Sequence, residues 1–168
     1  MASTCLPPIA KPDARVLILG SLPGQASLKL QQYYAHPRNQ FWPILGQLFE
    51  FPANAPYPER LQHALRHRIA LWDVCAQAQR PGSSLDSAIR NAVANDFPSF
   101  LAAHPHINLI ACNGGKAFNL FRRLAAPHLT PAQRSLVRQL PSTSPAHAGM
   151  TFEQKLAQWR VVREAQMR

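Results

Sequence analysis

The sequence predicts an α/β protein, a three-layer αβα sandwich around a central four-stranded, mostly parallel sheet. Two observations predict this fold class. Short strand-like runs recur along the chain, and segments with helical spacing of apolar residues separate them. Strands that alternate with helices form a parallel sheet that helices cover on both faces. With 168 residues the chain can bury one sizeable core, so we expect a single domain at 13–168 after a proline-rich tail at 1–12.

The four expected strands differ in character. They lie at 15–20, 69–75, 108–112 and 137–141. The first three are nearly continuous in apolar residues, which is typical of strands that are buried on both faces. The fourth is more polar and leads directly into a loop rich in serine and proline. The order of strands and intervening segments therefore favours an open parallel sheet.

Helices are expected in the intervening segments. Three of them precede the second strand, at 25–33, 39–50 and 58–68. Residues 80–93 are expected to form a loop that enters a helix capped near Ser83 or Ser84, and another helix follows Gly115. Thr130-Pro131 and Thr151 should begin the last two helices, because threonine is a favoured N-cap and proline is tolerated at the first helical position. Gln154 would complete a capping box with Thr151.

The charge of the chain favours a polyanionic partner. The formal net charge is +10, and fourteen arginines stand against four lysines. Guanidinium groups bind phosphate through paired hydrogen bonds and stack on bases. The alternative is a protein that is merely basic and soluble. Because aromatic-rich loops accompany the charge, nucleic acid is the better explanation.

The cysteines and the hydropathy of the chain exclude several classes of protein. Cys5, Cys75 and Cys112 form no close pair and are too few for a Cys₄ iron–sulfur cluster. No apolar run approaches the length of a membrane span, and the N-terminus lacks a signal-peptide pattern. We therefore expect a cytoplasmic monomer that needs no metal, cofactor, membrane or obligate protein partner.

Three loop motifs carry the polar chemistry of the chain. GSLPG (20–24) follows the first strand, YYAHPRNQFW (33–42) follows the first helix, and LPSTSPAH (140–147) ends the fourth strand. Open α/β sheets bind ligands beyond the carboxyl ends of their strands. Taken alone, GSLPG is an ordinary strand-to-helix turn, and clusters of Ser, Thr and Pro are usually plain loops. The motifs are informative because they occur together.

This combination resembles the uracil-DNA glycosylase superfamily, and within it the hypoxanthine-DNA glycosylase branch, which is related to the mismatch-specific uracil glycosylases. Its members carry a first motif after the first strand and a second motif after the last, as GSLPG and LPSTSP stand here. The resemblance covers residues 13–150. It implies a monofunctional DNA glycosylase of base-excision repair. Such an enzyme hydrolyses the N-glycosidic bond of a deaminated base flipped out of DNA, here hypoxanthine first and uracil second.

Two positions depart from the family pattern. Many members place a water-activating Asp or Asn third in the first motif, where this chain has Leu22, and a histidine first in the second motif, where it has Leu140. The resemblance implies that Asn39 of the His-Pro-x-Asn tract supplies the catalytic polar group. The structural alternative for Asn39 is a helix cap. Leu22 also keeps open a different class of function, a non-catalytic basic module that binds nucleic acid and retains the glycosylase fold.

Polar residues at strand ends are the other candidates near a flipped base. Asp73 ends the apolar run of the second strand, where a carboxylate can accept the N1–H of hypoxanthine or the N3–H of uracil. Asn113 ends the third strand and is a second catalytic candidate. Tyr33 or Tyr34 is the stacking residue, and the resemblance favours Tyr34; Ser21 is a further base-binding residue. The structural alternatives are a loop cap for Asp73, a left-handed turn for Asn113 and a core position for either tyrosine.

The remaining candidates are assigned to the DNA backbone or to a loop that wedges into the gap left by the flipped base. They are Gly20, Pro23, Gly24, Arg38, Ser142, Thr143 and Ser144. Backbone amides and hydroxyl groups in such loops suit phosphate oxygens. Arg38 suits a phosphate better than it suits catalysis. His147 stands where the branch more often has asparagine, and its role is open.

Overall fold

The computed structural model describes residues 2–79 and 89–168. Its strands are β1 (Ala2–Thr4), β2 (Val16–Gly20), β3 (Ile69–Asp73), β4 (Cys75–Gln79), β5 (Arg90–Ala94), β6 (Leu109–Asn113) and β7 (Val137–Leu140). Its α-helices are α1 (Gln25–Leu30), α2 (Phe41–Phe49), α3 (Tyr57–Arg66), α4 (Phe97–Ala103), α5 (Gly115–Leu120), α6 (Pro131–Arg134) and α7 (Phe152–Gln166). A π-helical turn at Phe121–Ala125 and a 3₁₀ turn at Ala126–His128 continue α5.

Four strands form the predicted central sheet. Their order is β3-β2-β6-β7, and every neighbouring pair is parallel. The register places Gly20 opposite Asp73 and Asn113 opposite Leu140. Because the strands run in one direction, their carboxyl ends and the loops that follow them meet at one edge of the sheet. The predicted fold class is confirmed.

The sheet separates two apolar cores, as its alternating side chains require. Val16 and Ile18 of β2 belong to the core that α2 and α7 cover. Leu17 and Leu19 belong to the core that α4 and α5 cover. All five residues of β2 are buried, as expected for a central strand with helices on both faces.

Two helices begin at the predicted threonine caps, and both have capping boxes, of which the one at Thr151 was predicted. The side chains of Thr130 and Thr151 each accept a hydrogen bond from the backbone N–H three residues later, at 3.1 Å in both cases. The side chains of Gln133 and Gln154 accept in return from the threonine N–H groups, at 3.0 and 2.8 Å. These reciprocal bonds satisfy N–H groups that a helix start leaves without a partner. The predicted starts of α6 and α7 are confirmed.

The N-terminal segment differs from the expected tail. Ala2–Thr4 pairs with β4, Leu6 is buried, and Ile9 forms an isolated antiparallel bridge with Leu71. The prolines of this segment suggested a detached chain, but the apolar residues between them anchor it. The segment is therefore part of the folded domain, and it covers the edge strand β3.

A second, antiparallel sheet was not predicted. The expected strand at 69–75 is interrupted at Val74, and its continuation β4 lies between β1 and β5. The helix expected at the end of 80–93 is wrong for residues 90–93, which belong to β5. Pairing with β4 overrides the weak helical spacing of this segment. The proposed caps Ser83 and Ser84 lie outside the described residues.

Other features of the fold concern cysteines, metals and membranes. The three cysteines are free thiols, and burial raises the pKa of Cys112 to about 12. Within residues 2–79 and 89–168, no group of three or more His, Cys, Asp or Glu is placed to hold a metal ion. None of the helices in this part of the chain combines the length and apolar character needed to cross a bilayer.

Candidate active site

A cavity of about 670 Å³ opens at the carboxyl edge of the central sheet. Its walls come from the loops that follow β2 and β7, the last residues of β3 and β6, helix α1 with the segment after it, the start of α5 and the N-terminal segment. The volume lies within the range of small-molecule sites in proteins, roughly 300–1,000 Å³. This is the edge of the sheet at which the sequence predicted a ligand site.

The first motif is fixed to the sheet through its backbone. The Val74 N–H donates to the Gly20 carbonyl at 2.7 Å, and the Cys75 N–H donates to the Ser21 carbonyl at 3.0 Å. The parallel ladder between β2 and β3 therefore extends into the motif. Leu22 is buried and packs in the core under α4 and α5. It therefore contributes apolar surface at the position where many relatives place a polar group.

Asp73 and Tyr34 approach the backbone of Gly20. Asp73 is only 4% exposed, and Asn95 Nδ2 donates to its carbonyl at 2.8 Å. A Cβ atom added to Gly20 would lie 2.6 Å from Asp73 Oδ1 and 3.3 Å from the Tyr34 hydroxyl. Only glycine at position 20 leaves room for the carboxylate and the phenol. The cavity thus has a carboxylate and an aromatic hydroxyl close together beside the first motif.

Replacement of Gly20 should disturb this arrangement and the fold with it. We expect Gly20→Ala to lower the free energy of unfolding by about 1–3 kcal/mol, because the new methyl group displaces the buried Asp73 carboxylate. Urea unfolding of the variant and the wild type measures the difference. Gly149→Ala is the matched control, since nothing lies within 4 Å of a Cβ added there. Equal stability of Gly20→Ala and the wild type would contradict the close approach of Asp73.

The two neighbouring tyrosines differ in role. Tyr33 is buried, and its hydroxyl donates to the Pro7 carbonyl at 2.8 Å. Burial and, to a lesser extent, the Asp73 carboxylate raise the pKa of Tyr33 far above its ordinary value. Both tyrosines line the cavity, but Tyr34 is half-buried and stacks on Phe41 with 4.0 Å between ring centroids. Tyr33 therefore serves the core, and Tyr34 stays the candidate for stacking on a base.

The backbone at Tyr34 is strained. Its φ is 56°, in the left-handed region that bulky residues rarely adopt, at a cost of about 1–3 kcal/mol. Bonds to both neighbours hold it there. Trp42 Nε1 donates to the Tyr33 carbonyl at 2.9 Å, and the Ala35 N–H donates to Ser27 Oγ at 3.2 Å. Strain that the surroundings impose in this way is common at functional sites.

Asn39 lines the cavity and also bonds the first residue of helix α2, whose N-cap position is Gln40. Its Oδ1 accepts a hydrogen bond from the Phe41 N–H at 2.9 Å, which satisfies one N–H of the first helical turn. Asn39 therefore makes a capping-type bond to the first helical turn, although it stands one residue before the N-cap position expected for it. That bond uses neither the second lone pair of Oδ1 nor the Nδ2 amide. Capping and ligand contact are compatible, and the catalytic role of Asn39 stays a prediction.

Asn113 connects β6 to the second motif. Its Nδ2 donates to Thr143 Oγ1 at 2.9 Å, and its Oδ1 accepts from the Thr143 N–H at 2.9 Å. Gly114, with a φ of 95°, passes so close to Ser142 that an added Cβ would meet the Ser142 Cβ at 3.0 Å. Both ends of the Asn113 amide thus shape the loop. This geometry favours a positioning role over the catalytic role that the sequence suggested.

The structure brings most of the predicted site residues to one cavity. Those that line it are Gly20, Ser21, Pro23, Gly24, Tyr34, Asn39, Asp73, Asn113, Ser142, Thr143 and Ser144. Arg38 is exposed and is not among the lining residues; its backbone N–H donates to His36 Nδ1 at 3.1 Å. Its position suits a contact outside the cavity.

Sequence reasoning missed several residues of the cavity wall. Gln25 and Ser27 come from α1, and His36 comes from the segment before α2. Their positions shortly after a strand end or beside a motif could have indicated them. Leu6 had no such signal, because it reaches the cavity only through the packing of the N-terminal segment.

Comparisons with known proteins point to one family. The family model described as the uracil DNA glycosylase superfamily matches residues 7–165. Two relatives, from Methanosarcina barkeri and Methanosarcina acetivorans, are each named hypoxanthine DNA glycosylase. Each is 38% identical over 112 residues, which are 66% of this chain and 70% of the relative. The solution NMR structure of a candidate uracil DNA glycosylase from Methanosarcina acetivorans matches with a TM-score of 0.82 at 30% identity, over 100% of both chains.

The residues that the family model matches include the central sheet and the cavity described above. The matched residues 7–165 include all four strands of the central sheet and both motifs that line the cavity. The solved structure shares the architecture over its whole length. The chain belongs to the uracil DNA glycosylase superfamily.

Proposed function

We propose that this chain is a monofunctional DNA glycosylase of base-excision repair that removes deaminated bases from DNA, hypoxanthine first and uracil second. The observation that carries the proposal is the close approach of Asp73 and Tyr34 to Gly20 within the cavity at the sheet edge. Membership of the superfamily supports glycosylase activity. The names of the two relatives support hypoxanthine as the first substrate.

Asp73 provides a means of recognising a deaminated purine. Deamination of adenine turns N1 from an acceptor into an N1–H donor. A buried carboxylate can accept a hydrogen bond from that N1–H. With adenine, the carboxylate would face the N1 lone pair and would accept no hydrogen bond. A buried group left without a partner costs about 1–3 kcal/mol, enough to discriminate between the two bases. The N3–H of uracil offers the same kind of donor, so uracil is the second substrate.

Tyr34 offsets part of the cost of extruding the base. Unstacking and unpairing cost a few kcal/mol. Stacking on an aromatic ring returns about 1–3 kcal/mol per base. The Tyr34 ring already stacks on Phe41, which fixes its plane before a base arrives. A ring held in this way pays little further entropy on binding.

Hydrolysis then requires a positioned water. As the bond between C1′ and the base nitrogen breaks, the base leaves with the electron pair and the sugar acquires oxocarbenium character. Water adds to C1′ and loses a proton, the base gains one, and the products are the free base and an abasic site. In this proposal Asn39 orients that water through the free lone pair of Oδ1, a contribution expected of a fixed dipole beside developing charge.

Leu22 favours the second candidate function, a basic module that binds nucleic acid without catalysis. Its buried side chain replaces the polar group that many relatives use to activate water. If Asn39 only bonds α2, the first motif offers no carboxylate or amide side chain for that task. The cavity and the positive charge would then serve binding alone.

Excision assays distinguish the two functions. Purified protein is incubated with duplexes that carry one inosine or one uracil, and abasic sites are then cleaved with alkali. The glycosylase proposal predicts alkali-dependent cleavage at inosine and slower cleavage at uracil. Binding to these duplexes without cleavage at either base would favour the binding module. A duplex with adenine at the same position is the control and should stay intact.

DNA affinity should depend steeply on salt. The chain carries 18 Lys and Arg against 8 Asp and Glu, and the described residues form one ion pair, between Arg68 and Asp13. The logarithm of the association constant should fall with the logarithm of salt concentration, with a slope of about −0.9 per phosphate neutralised. Arg38→Ala should make this slope shallower by the amount that corresponds to about one phosphate contact. Arg68→Ala is the control, because Arg68 precedes β3 and therefore lies at the amino ends of the strands, away from the cavity. A wild-type slope near zero would contradict phosphate binding.

No covalent lysine intermediate should form. Lys116 lines the cavity, but a monofunctional enzyme transfers the sugar to water and not to an amine. We expect borohydride to trap no adduct between protein and inosine DNA, and activity to survive chelators. A bifunctional glycosylase on its own substrate serves as the positive control for trapping. An adduct that forms with the wild type and disappears in Lys116→Ala would overturn the monofunctional assignment.

A further inference from the structure

Helix α7 holds the second motif at both of its ends. Trp159 Nε1 donates to the Pro141 carbonyl at 2.9 Å, and Lys155 Nζ donates to the His147 carbonyl at 2.8 Å. Lys155 and Trp159 are buried residues one turn apart on the same helix. The loop at 141–147, which we call the wedge loop, is therefore anchored at both ends by one rigid element.

Contacts from two other elements hold the middle of the wedge loop. The Asn113 side chain bonds the hydroxyl and the N–H of Thr143. The N–H of Gln40, the residue before α2, donates to the Thr143 carbonyl at 2.9 Å. With three elements holding it, the loop has one defined shape beside the cavity, where Ser142, Ser144 and His147 line the wall.

Of the two anchoring residues on α7, Lys155 is the one whose burial is not explained by packing of the core. Its side chain is 2% exposed, and burial lowers the pKa of its ammonium group. The one ion pair of the described residues lies elsewhere, so no described carboxylate neutralises Lys155. Burying an ammonium without a counter-charge costs free energy that a methionine of similar length would not cost. The hydrogen bond to the His147 carbonyl accounts for a buried lysine at this position, whereas core packing does not.

We propose that Lys155, assisted by Trp159, is a positioning residue for base flipping, which holds the wedge loop in the shape that enters the gap left by the base. This inference rests on the proposed function and takes the second motif as the loop that wedges into the gap left by the flipped base. Lys155 does not line the cavity and so acts only through the loop. A hydrogen bond from a charged donor is stronger than a neutral one, so Lys155 should matter more than Trp159.

The test uses two variants that each remove one donor and keep an apolar side chain in place. They are Lys155→Met and Trp159→Phe. The probe is 2-aminopurine placed beside inosine in a duplex, whose fluorescence rises when its neighbour leaves the stack. Lys155→Met should lower the flipped population about tenfold, and Trp159→Phe a few-fold, as expected for one charged and one neutral hydrogen bond. Lys155→Arg, which keeps a charged donor, should retain most of the signal.

Thermal melting separates positioning from folding. Lys155→Met removes a buried charge, so it should melt at or above the wild-type temperature while its fluorescence signal falls. A parallel fall of melting temperature and fluorescence would overturn the inference, and so would equal signals for the wild type and both variants. If the wild type caused no rise of 2-aminopurine fluorescence, the inference would be overturned as well. A wild-type rise without release of hypoxanthine would instead count against the proposed function, and the comparison of variants would still decide the role of Lys155.

Discussion

Asp73→Asn is expected to lower the single-turnover rate of hypoxanthine excision by about 10²-fold or more, because the base then loses its buried hydrogen-bond acceptor. Asparagine has nearly the same shape as aspartate, so the packing beside Gly20 is kept. Its amide can present an N–H where the carboxylate presented an oxygen, and that N–H would oppose the N1–H of hypoxanthine. The excision rate on an inosine duplex measures the loss.

The control for Asp73→Asn is an equal change of charge elsewhere. Asp13→Asn removes one carboxylate from an exposed position, where the ion pair with Arg68 is 3.8 Å long. Surface ion pairs contribute about 0–1 kcal/mol, so this variant should keep the stability and the excision rate of the wild type. Equal rates for Asp73→Asn and Asp13→Asn would remove Asp73 from base recognition.

Asn39→Ala is the second large effect that we expect. It should lower the single-turnover rate by about 10²-fold or more, the magnitude expected for the loss of a contact that positions water or stabilises the transition state. It also removes the cap on the Phe41 N–H, so stability should fall by about 1 kcal/mol. Affinity for duplex DNA should change little, since phosphate contacts dominate it. Excision rate and melting temperature are measured on the same preparation.

Asn39→Asp separates capping from catalysis. Aspartate keeps an oxygen that can accept the Phe41 N–H and is an equally good cap, so stability should match the wild type. It also keeps an acceptor for water but loses the Nδ2 donor. If Asn39 acts by orienting water, Asn39→Asp retains most of the activity; if the amide binds base or sugar, activity falls without destabilisation. A destabilised but fully active Asn39→Ala would leave Asn39 as a cap only.

The features that could be predicted from sequence are those fixed by local pattern. The buried strand at 16–20 and the capping boxes at Thr130 and Thr151 follow from short-range spacing, and the structure has them. The site edge followed from topology, because parallel strands bring Gly20 and Asp73 into register although many residues separate them in the chain. The resemblance to a family indicated that the loop motifs belong to one site.

The features that could not be predicted depend on tertiary contacts. Residues 90–93 pair with β4, although their spacing also allowed a helix. Lys155 lies on the face of α7 that also buries Trp159 and Val162, and sequence spacing gives no sign that its amine bonds a loop carbonyl. Tyr33 and Tyr34 are adjacent and both line the cavity, yet the Tyr33 hydroxyl bonds the Pro7 carbonyl while the Tyr34 ring stacks on Phe41. In each case the partner belongs to another element of the fold.

Release of the free base is the most direct measurement of the proposed function. An inosine duplex is incubated with excess wild-type protein, and the supernatant is analysed by mass spectrometry for hypoxanthine, with Asp73→Asn treated in parallel. We predict one free hypoxanthine for each alkali-sensitive site with the wild type, no strand cleavage before alkali, and a strongly reduced yield with Asp73→Asn at the same time point. A protein that binds the duplex and releases no hypoxanthine, or an Asp73→Asn variant that releases it at the wild-type rate, would contradict the proposed site.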